Sequence, residues 1–438
     1  MKFAEKTILK ITDVDKKGRG CATVGNRMAT IPFAVPGEEV EAILISRKKG
    51  ELQFRGEKLI TASPHRITPR CPYVGTCGGC AWQQFDYPYQ LELKRNLINR
   101  TLAAGDIMQR IGEVIPSPAQ FYYRNRMDYC VGPHGELGLK EPGRWNAYLN
   151  LDTCYLLSPE SVQIMQRFRE YMVSEKLTPW DNVQHTGFVR YLVIREGKNT
   201  GKRMVTIVTS QGDLPAHDKL IATLSPLATT IYHGINPTIT DLSIAPQLTL
   251  LHGEQFLEER VGKNTFLIHP NSFFQTNTVM AEKLVETVAS FLAPKKPKTL
   301  LDLYCGVGLF GLSLASTADR VFGVEIDAEA IALATKNATA KSITNAEFVA
   351  DKAEGLIWEK EKPDTVIVDP PRSGLHPKVV ESLLTHLPQR IAYVSCNYES
   401  FVHDFSKLRQ SYDITCMEAL DLFPHSPHVE VVSLLELQ

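Results

Sequence analysis

The sequence predicts an α/β protein whose C-terminal part is a doubly wound, Rossmann-like domain, preceded by a mixed α/β domain and a small N-terminal β-barrel. Three observations carry this. From about residue 280, helical and strand-like runs alternate, which argues for a parallel sheet with helices on both faces. Residues 1–62 are short β-rich runs separated by turn residues. At 438 residues the chain is too long for one ordinary core. The expected boundaries are 1–62, 63–262 and 263–438.

In the first unit, KTILKITDV, CATV, RMATIPFAV, EEVEAILIS and LQFRGEKLI read as five strands, with turns at Gly18-Arg19-Gly20, Gly25-Asn26, Pro36-Gly37 and Lys49-Gly50. Five short strands with basic loops suggest an oligonucleotide-binding type of barrel; an SH3-like barrel would have the same pattern. Residues 1–70 hold fourteen Lys or Arg against eight Asp or Glu, among them Lys16, Lys17, Arg19, Arg47, Lys48 and Lys49, on a chain of net charge −1. That asymmetry suits a polyanionic partner, although a merely solvated Lys-rich surface explains the same count. No signal peptide or membrane span is read: the opening residues carry Glu5 and Asp13, and the most apolar run, 299–315, contains Asp302 and several glycines. A cytoplasmic monomer is expected, and in that compartment nine cysteines point to metal or catalysis before disulfides.

The middle unit opens with a Pro-, Gly- and Cys-rich segment at 63–85, then a helical stretch, YQLELKRNLINRTLAAG. The region to about 262 is the least legible part. FYYRNRMDY at 121–129 interleaves aromatics with Arg124 and Arg126, a pattern suited to phosphate and base contacts or to a strand packed on a sheet.

In the last unit, LLDLYCGVG runs from a strand ending at Asp302-Leu303-Tyr304 through glycines into a helix, the place where a ligand approaches the backbone of such a sheet. The next strand ends in Glu325, suited to a ribose diol; a nicotinamide enzyme would place its acid similarly. The fourth strand ends in Asp369-Pro370-Pro371-Arg372, typical of methyltransferases acting on nucleic acids and without a role in dehydrogenases. S-adenosylmethionine is therefore the expected cofactor. The fifth strand, RIAYVSCN, delivers Cys396 to the same edge. A thiolate there has a use: C5 of uracil is a poor nucleophile, but addition of sulfur to C6 makes an enolate whose C5 attacks a methylsulfonium. The adduct must then lose its C5 proton to a base, and DLFPHSPHVE at 421–430 offers carboxylates.

DPPRSGL, YVSCN, DLFPHSPHVE and NSFFQTN (271–277) together resemble the signatures of the RNA uridine-5-methyltransferase family. The resemblance implies a class I methyltransferase domain with Cys396 as nucleophile and Glu430 as base. It places Gln275, Tyr304, Glu325, Asp351 and Asp369 at the cofactor, and makes His425 and His428 site-shaping residues rather than metal ligands. Where the family usually has a threonine shortly after the cysteine, this chain has Ser400, which retains the hydroxyl.

Cys71, Cys77 and Cys80 are spaced as a metal centre in an irregular segment, and spacing leaves both Cys130 and Cys154 open as fourth ligand. The resemblance selects Cys154 and implies a [4Fe–4S] cluster, with zinc as the alternative. It also likens residues 1–62 to a TRAM domain. Barrel and cluster together resemble the 23S rRNA uracil-5-methyltransferases, so methylation of a uridine in 23S rRNA is expected, with tRNA as the alternative substrate. From another class, a non-catalytic iron–sulfur RNA-binding or assembly factor would keep the cysteines while leaving Cys396, Glu430 and Gln275 without use.

Overall fold

The computed structural model describes residues 6–48 and 50–438; Lys49 and the first five residues, which the basic count and the barrel boundary include, lie outside the described residues. The N-terminal unit is a curled six-stranded sheet of β1 (Lys6–Lys10), β2 (Asp13–Val14), β3 (Gly20–Val24), β4 (Arg27–Ile31), β5 (Glu39–Lys48) and β6 (Glu51–Thr61), in the order β1-β5-β6-β4-β3-β2. Alternation along β5 turns Val40, Ala42 and Leu44 inward against Leu9, Ile31 and Phe54. KTILKITDV, expected as one strand, is two. Ile11 leaves the ladder to pair with the 37–38 turn, its N–H donating to the Glu38 carbonyl and its carbonyl accepting from Gly37.

Helix α1 (Tyr87–Ala104) starts at Asp86, whose side chain accepts from the Tyr89 N–H at 2.9 Å, and is followed by the two-residue strand β7 (Val114–Ile115). The middle sheet then comprises β8 (Arg126–Val131), β9 (Leu137–Gly138), β10 (Val189–Glu196), β11 (Arg203–Thr209), β12 (Thr230–Ile235) and β13 (Gln247–Gly253), ordered β13-β12-β11-β10-β8-β9. Helices α2 (Pro159–Ser174) and α3 (His217–Leu224) cover one of its faces, with Phe168 and Leu220 against Leu192, Ile194, Val205 and Ile207. A hairpin, β14 (Leu257–Val261) and β15 (Asn264–Ile268), leads onward.

The last unit contains α4 (Thr278–Leu292), β16 (Thr299–Leu303), α5 (Leu309–Ser313), β17 (Arg320–Glu325), α6 (Ala328–Ala340), β18 (Ala346–Ala350), β19 (Thr365–Val368), α7 (Pro377–His386), β20 (Arg390–Ser395), α8 (Tyr398–Leu408), β21 (Tyr412–Leu420) and β22 (Glu430–Leu437). Its sheet runs β18-β17-β16-β19-β20-β22-β21-β7. Strands β16 to β20 are mutually parallel, and β22 enters antiparallel to both β20 and β21. Successive residues of the parallel strands alternate between two cores. Leu301, Leu303, Val366 and Tyr393 meet α1, α7 and α8, whereas Leu300, Val321, Ile367 and Val394 meet α4 and α5. This is the doubly wound class I methyltransferase architecture, with the order reversing between β16 and β19.

One assignment changes. Residues 63–115, expected in the middle unit, divide: Trp82, Phe85, Leu93, Leu97, Ile98 and Val114 share the core of the catalytic sheet, and β7 is its eighth strand. Among the described residues, no helix is long and apolar enough to cross a membrane.

Candidate active site

Cys396 follows β20 directly, at the strand-to-helix turn. Asn397 caps α8 by accepting from the Glu399 N–H at 3.2 Å, and its amide donates to the Arg372 carbonyl at 2.8 Å. The Ser400 hydroxyl donates to the same carbonyl at 2.9 Å. The cysteine turn and the DPPR turn are thereby fastened together, and the serine supplies the one hydroxyl that this fastening needs.

Register brings the second group. Ser395 pairs with Val431 across the antiparallel β20–β22 ladder, so the next positions outward, Cys396 and Glu430, face each other where the two strands leave the sheet. Glu430 is buried, and its Oε2 has no hydrogen-bond partner. Burial, then the neighbouring Asp369, push its carboxyl up to about 8 against the pull of Arg372. Burial, then Glu430 and Asp369, raise the Cys396 thiol to about 11, again opposed by Arg372. The resting site at neutral pH therefore keeps both groups mostly protonated, as expected where acids crowd together away from water.

The expected cofactor residues gather on one edge. Tyr304, Glu325, Asp351 and Asp369 end or follow β16, β17, β18 and β19, and Gln275 reaches Asp369, its Nε2 donating to Oδ2 at 3.3 Å. Tyr304 has a positive φ of 64°, a conformation uncommon in non-glycine residues and typical of functional turns. Gly306 follows at φ 53° with open space where a Cβ would stand, and its N–H donates to Glu325 Oε2 at 3.2 Å. Beneath the turn, fully buried Asp302 accepts from the Gly311 N–H at 2.7 Å, while its other oxygen has no partner. Burial raises Asp302 and Asp369 to about 7. Open glycine backbone above unneutralised acids fits a cationic cofactor with a ribose to hold. Asp351 is tied by its N–H to the Glu325 carbonyl at 2.9 Å, with a half-buried side chain.

In front of Cys396 lies a cleft of about 1070 Å³ between all three units. Its cations are Lys16, Lys17, Arg124, Arg126, Lys140 and Arg372, against Asp128, Glu141 and Glu399. Lys16 pairs with Glu399 at 2.6 Å, which brings the barrel onto the catalytic rim. His428 also lines the cleft, 3.4 Å from Arg372, and burial followed by that arginine lowers it to about 4. His425 is instead buried with φ 65°. Its carbonyl accepts from Ala81 and Trp82 at 2.9 and 3.0 Å, so it shapes the loop from behind.

Cys71, Cys77, Cys80 and Cys154 line one small apolar cavity of about 20 Å³. Cys130 is elsewhere, its thiol donating to the Gly138 carbonyl at 3.2 Å. Among the described residues, no three Cys, His, Asp or Glu side chains come close enough to hold a metal ion. The thiols surround a void instead of converging on a point, and burial pushes Cys77 up to about 11 and Cys80 to about 12.

Sequence reasoning missed Gln90 and Lys94 of α1, both fully buried beneath the 421–430 loop. Both look like solvated positions of a polar helix; Gln90 Nε2 donates to the Trp82 and Phe85 carbonyls, but the partners that bury both residues, Asp421 and His425, lie more than three hundred residues away.

Residues 254–438 match the family model of the tRNA (uracil-5-)-methyltransferases. An uncharacterised RNA methyltransferase of Nanoarchaeum equitans is 41% identical over 97% of this chain and 92% of its own length. The tRNA (uracil(54)-C(5))-methyltransferase of Pyrococcus horikoshii is 40% identical over 95% of this chain and 97% of its own length. The crystal structure of the Pyrococcus abyssi tRNA (uracil-54, C5)-methyltransferase, in complex with S-adenosyl-L-homocysteine, superposes with a TM-score of 0.83 at 35% identity, covering 98% of this chain and 99% of that one. These relatives overturn the expected place among the 23S rRNA enzymes, and with it 23S rRNA as the expected substrate and partner. The choice rested on the barrel and the cysteine segment, but a tRNA enzyme matches this chain through those regions too, so they do not separate the branches. The chain belongs to the tRNA (uracil-5-)-methyltransferase family and is an S-adenosylmethionine-dependent RNA (uracil-C5)-methyltransferase.

Proposed function

We propose that the protein methylates C5 of the uridine at position 54 of tRNA, with Cys396 as nucleophile and Glu430 as base. The single observation that carries the chemistry is the pairing register that sets Cys396 opposite Glu430 at the mouth of a cationic cleft. The substrate rests on relatives that match nearly the whole chain and act, by name, on uracil-54 of tRNA.

Gln275, Tyr304, Glu325, Asp351 and Asp369 would hold S-adenosylmethionine, which supplies the methyl group and a positive sulfur that favours ionised acids beside it. The Cys396 thiol gives up its proton to solvent and, as thiolate, forms a bond to C6 of the uracil, and the electron pair of the C5–C6 double bond becomes an enolate. C5 takes the methyl group, Glu430 takes the C5 proton, and the C6–S bond breaks to restore the double bond and the thiolate. Arg372, beside both groups, balances the charge. Arg124 and Arg126 face the cleft with Lys16 and Lys17 and suit the phosphates around an extruded base. The curled N-terminal sheet would act as a TRAM-type RNA contact, and an RNA substrate together with nine free cysteines supports a cytoplasmic setting.

The test is methyl transfer from labelled S-adenosylmethionine to separate pools of tRNA and rRNA lacking the modification. Label is expected in tRNA, and in a tRNA transcript it disappears when U54 is replaced by C. Label confined to rRNA overturns the substrate.

The four-cysteine cavity supports a further proposal, a polynuclear iron–sulfur centre held by Cys71, Cys77, Cys80 and Cys154. Four cysteine thiols gathered around one cavity are the donor set that such a cluster takes, with a single zinc ion, its sulfurs at about 2.3 Å from the metal, as the alternative. Its role would be structural, since methyl transfer moves no net electrons. Protein purified without oxygen is expected to be coloured and to contain iron and acid-labile sulfide, both lost in Cys77→Ser. Colourless protein with zinc or without metal overturns it.

A further inference from the structure

Helix α1 buries two polar side chains a turn apart, Gln90 and Lys94, each with no exposed surface. Lys94 Nζ donates to Asp421 Oδ1 at 2.5 Å and to the Phe423 carbonyl at 3.1 Å. The second Asp421 oxygen accepts from the Tyr87 hydroxyl at 2.9 Å, and Tyr87 in turn accepts from the Ser117 N–H at 2.8 Å. Gln90 Oε1 accepts from the His425 N–H at 2.9 Å. Desolvating an ammonium and a carboxylate costs several kcal/mol per ion, and an apolar pair of similar volume often does as well for stability. A charged pair in this place therefore calls for a geometric reason.

The place supplies one. Leu420 is the register partner of Glu430 at the loop end of the β21–β22 hairpin, and Asp421 is the next residue. The lysine thus grips the root of the nine-residue loop 421–429 directly across from Glu430, while Gln90 holds its middle. The same loop puts Phe423, Ser426, Pro427 and His428 into the cleft. We infer that Lys94, through its buried ion pair with Asp421, is a positioning residue that fixes Glu430 and the cleft wall for removal of the C5 proton. This rests on the reading of Glu430 as the base. Lys94 touches neither RNA nor cofactor and acts only through the loop.

A lone Lys94→Met would strand the Asp421 charge and threaten folding, so the informative variant is Lys94→Met with Asp421→Asn, which keeps the acceptor for Tyr87 and the volume of both side chains. Three quantities are followed: tritium release from tRNA labelled at C5 of uridine, methyl incorporation in a single turnover, and RNA–protein adduct resistant to denaturation. The expected result is a KM for tRNA within about threefold of wild type, kcat lowered ten- to a hundredfold, and methylated adduct accumulating because proton removal is the slowed step. Wild-type tritium release from the double variant overturns the inference. So does equal slowing of methylation and release without accumulated adduct, which marks a general structural loss. If Glu430→Gln releases methylated RNA at the wild-type rate, the base assignment falls and this inference falls with it; slow release from Glu430→Gln beside wild-type release from the double variant overturns the inference alone.

Discussion

Cys396→Ala is expected to abolish turnover, by roughly 10⁴-fold or more, as when a covalent nucleophile is removed elsewhere. Without the S–C6 bond the pyrimidine keeps its conjugation, and no charge reaches C5 for attack on the methylsulfonium. Binding survives, because the cleft cations Arg124, Arg126 and Arg372 are untouched. So does folding, because a half-buried sulfur at a turn contributes little packing and the turn is held by Asn397 and Ser400. With RNA carrying 5-fluorouridine, whose C5–F bond cannot yield a proton, wild type forms an adduct that survives denaturation and the variant forms none. A variant that retains normal turnover removes the covalent mechanism.

Glu430→Gln is expected to leave adduct formation intact and slow release about 10²–10⁴-fold, the usual contribution of a general base. The substitution preserves volume in a fully packed position, so the stalled species is the methylated adduct, visible on a denaturing gel with unmodified tRNA. The pH profile adds a second readout. The base works only when deprotonated, and burial beside Asp369 pushes Glu430 up to about 8. Release by wild type should therefore rise with pH as Glu430 loses its proton and level off once it is ionised, and the glutamine variant should lose this rise. An adduct-free Glu430→Gln counts against the assignment.

The fold of the last unit was legible because strands and helices alternate there, and DPPR, YVSCN and the 421–430 segment each sit at a strand end. Register was not legible. That Cys396 faces Glu430 depends on an antiparallel last strand slipping between β20 and β21, which no local pattern states. Helix α1 was placed with the wrong neighbours for a related reason: its inward face is marked by Gln90 and Lys94, residues that look exposed until Asp421 and His425 arrive. Strand β7, at two residues, is too short to have a period. The substrate branch was misread because a tRNA enzyme matches this chain through the barrel and the cysteine segment as well.

The pairing of β7 with β21 joins Val114–Ile115 to Ala419–Leu420, a closure that spans some three hundred residues of chain. At a synthesis rate of about 5–20 residues per second, the first partner waits roughly 15–60 s for the second. Until that interval ends the sheet beneath α1 lacks its last strands, and Lys94 has no Asp421 to pair with. The barrel and the middle sheet have all their strands before then, but the sheet edge, the ion pair and the base arrive together with residues 412–437. With Cys396 and Glu430 in their proposed roles, catalytic competence is gained in one late step.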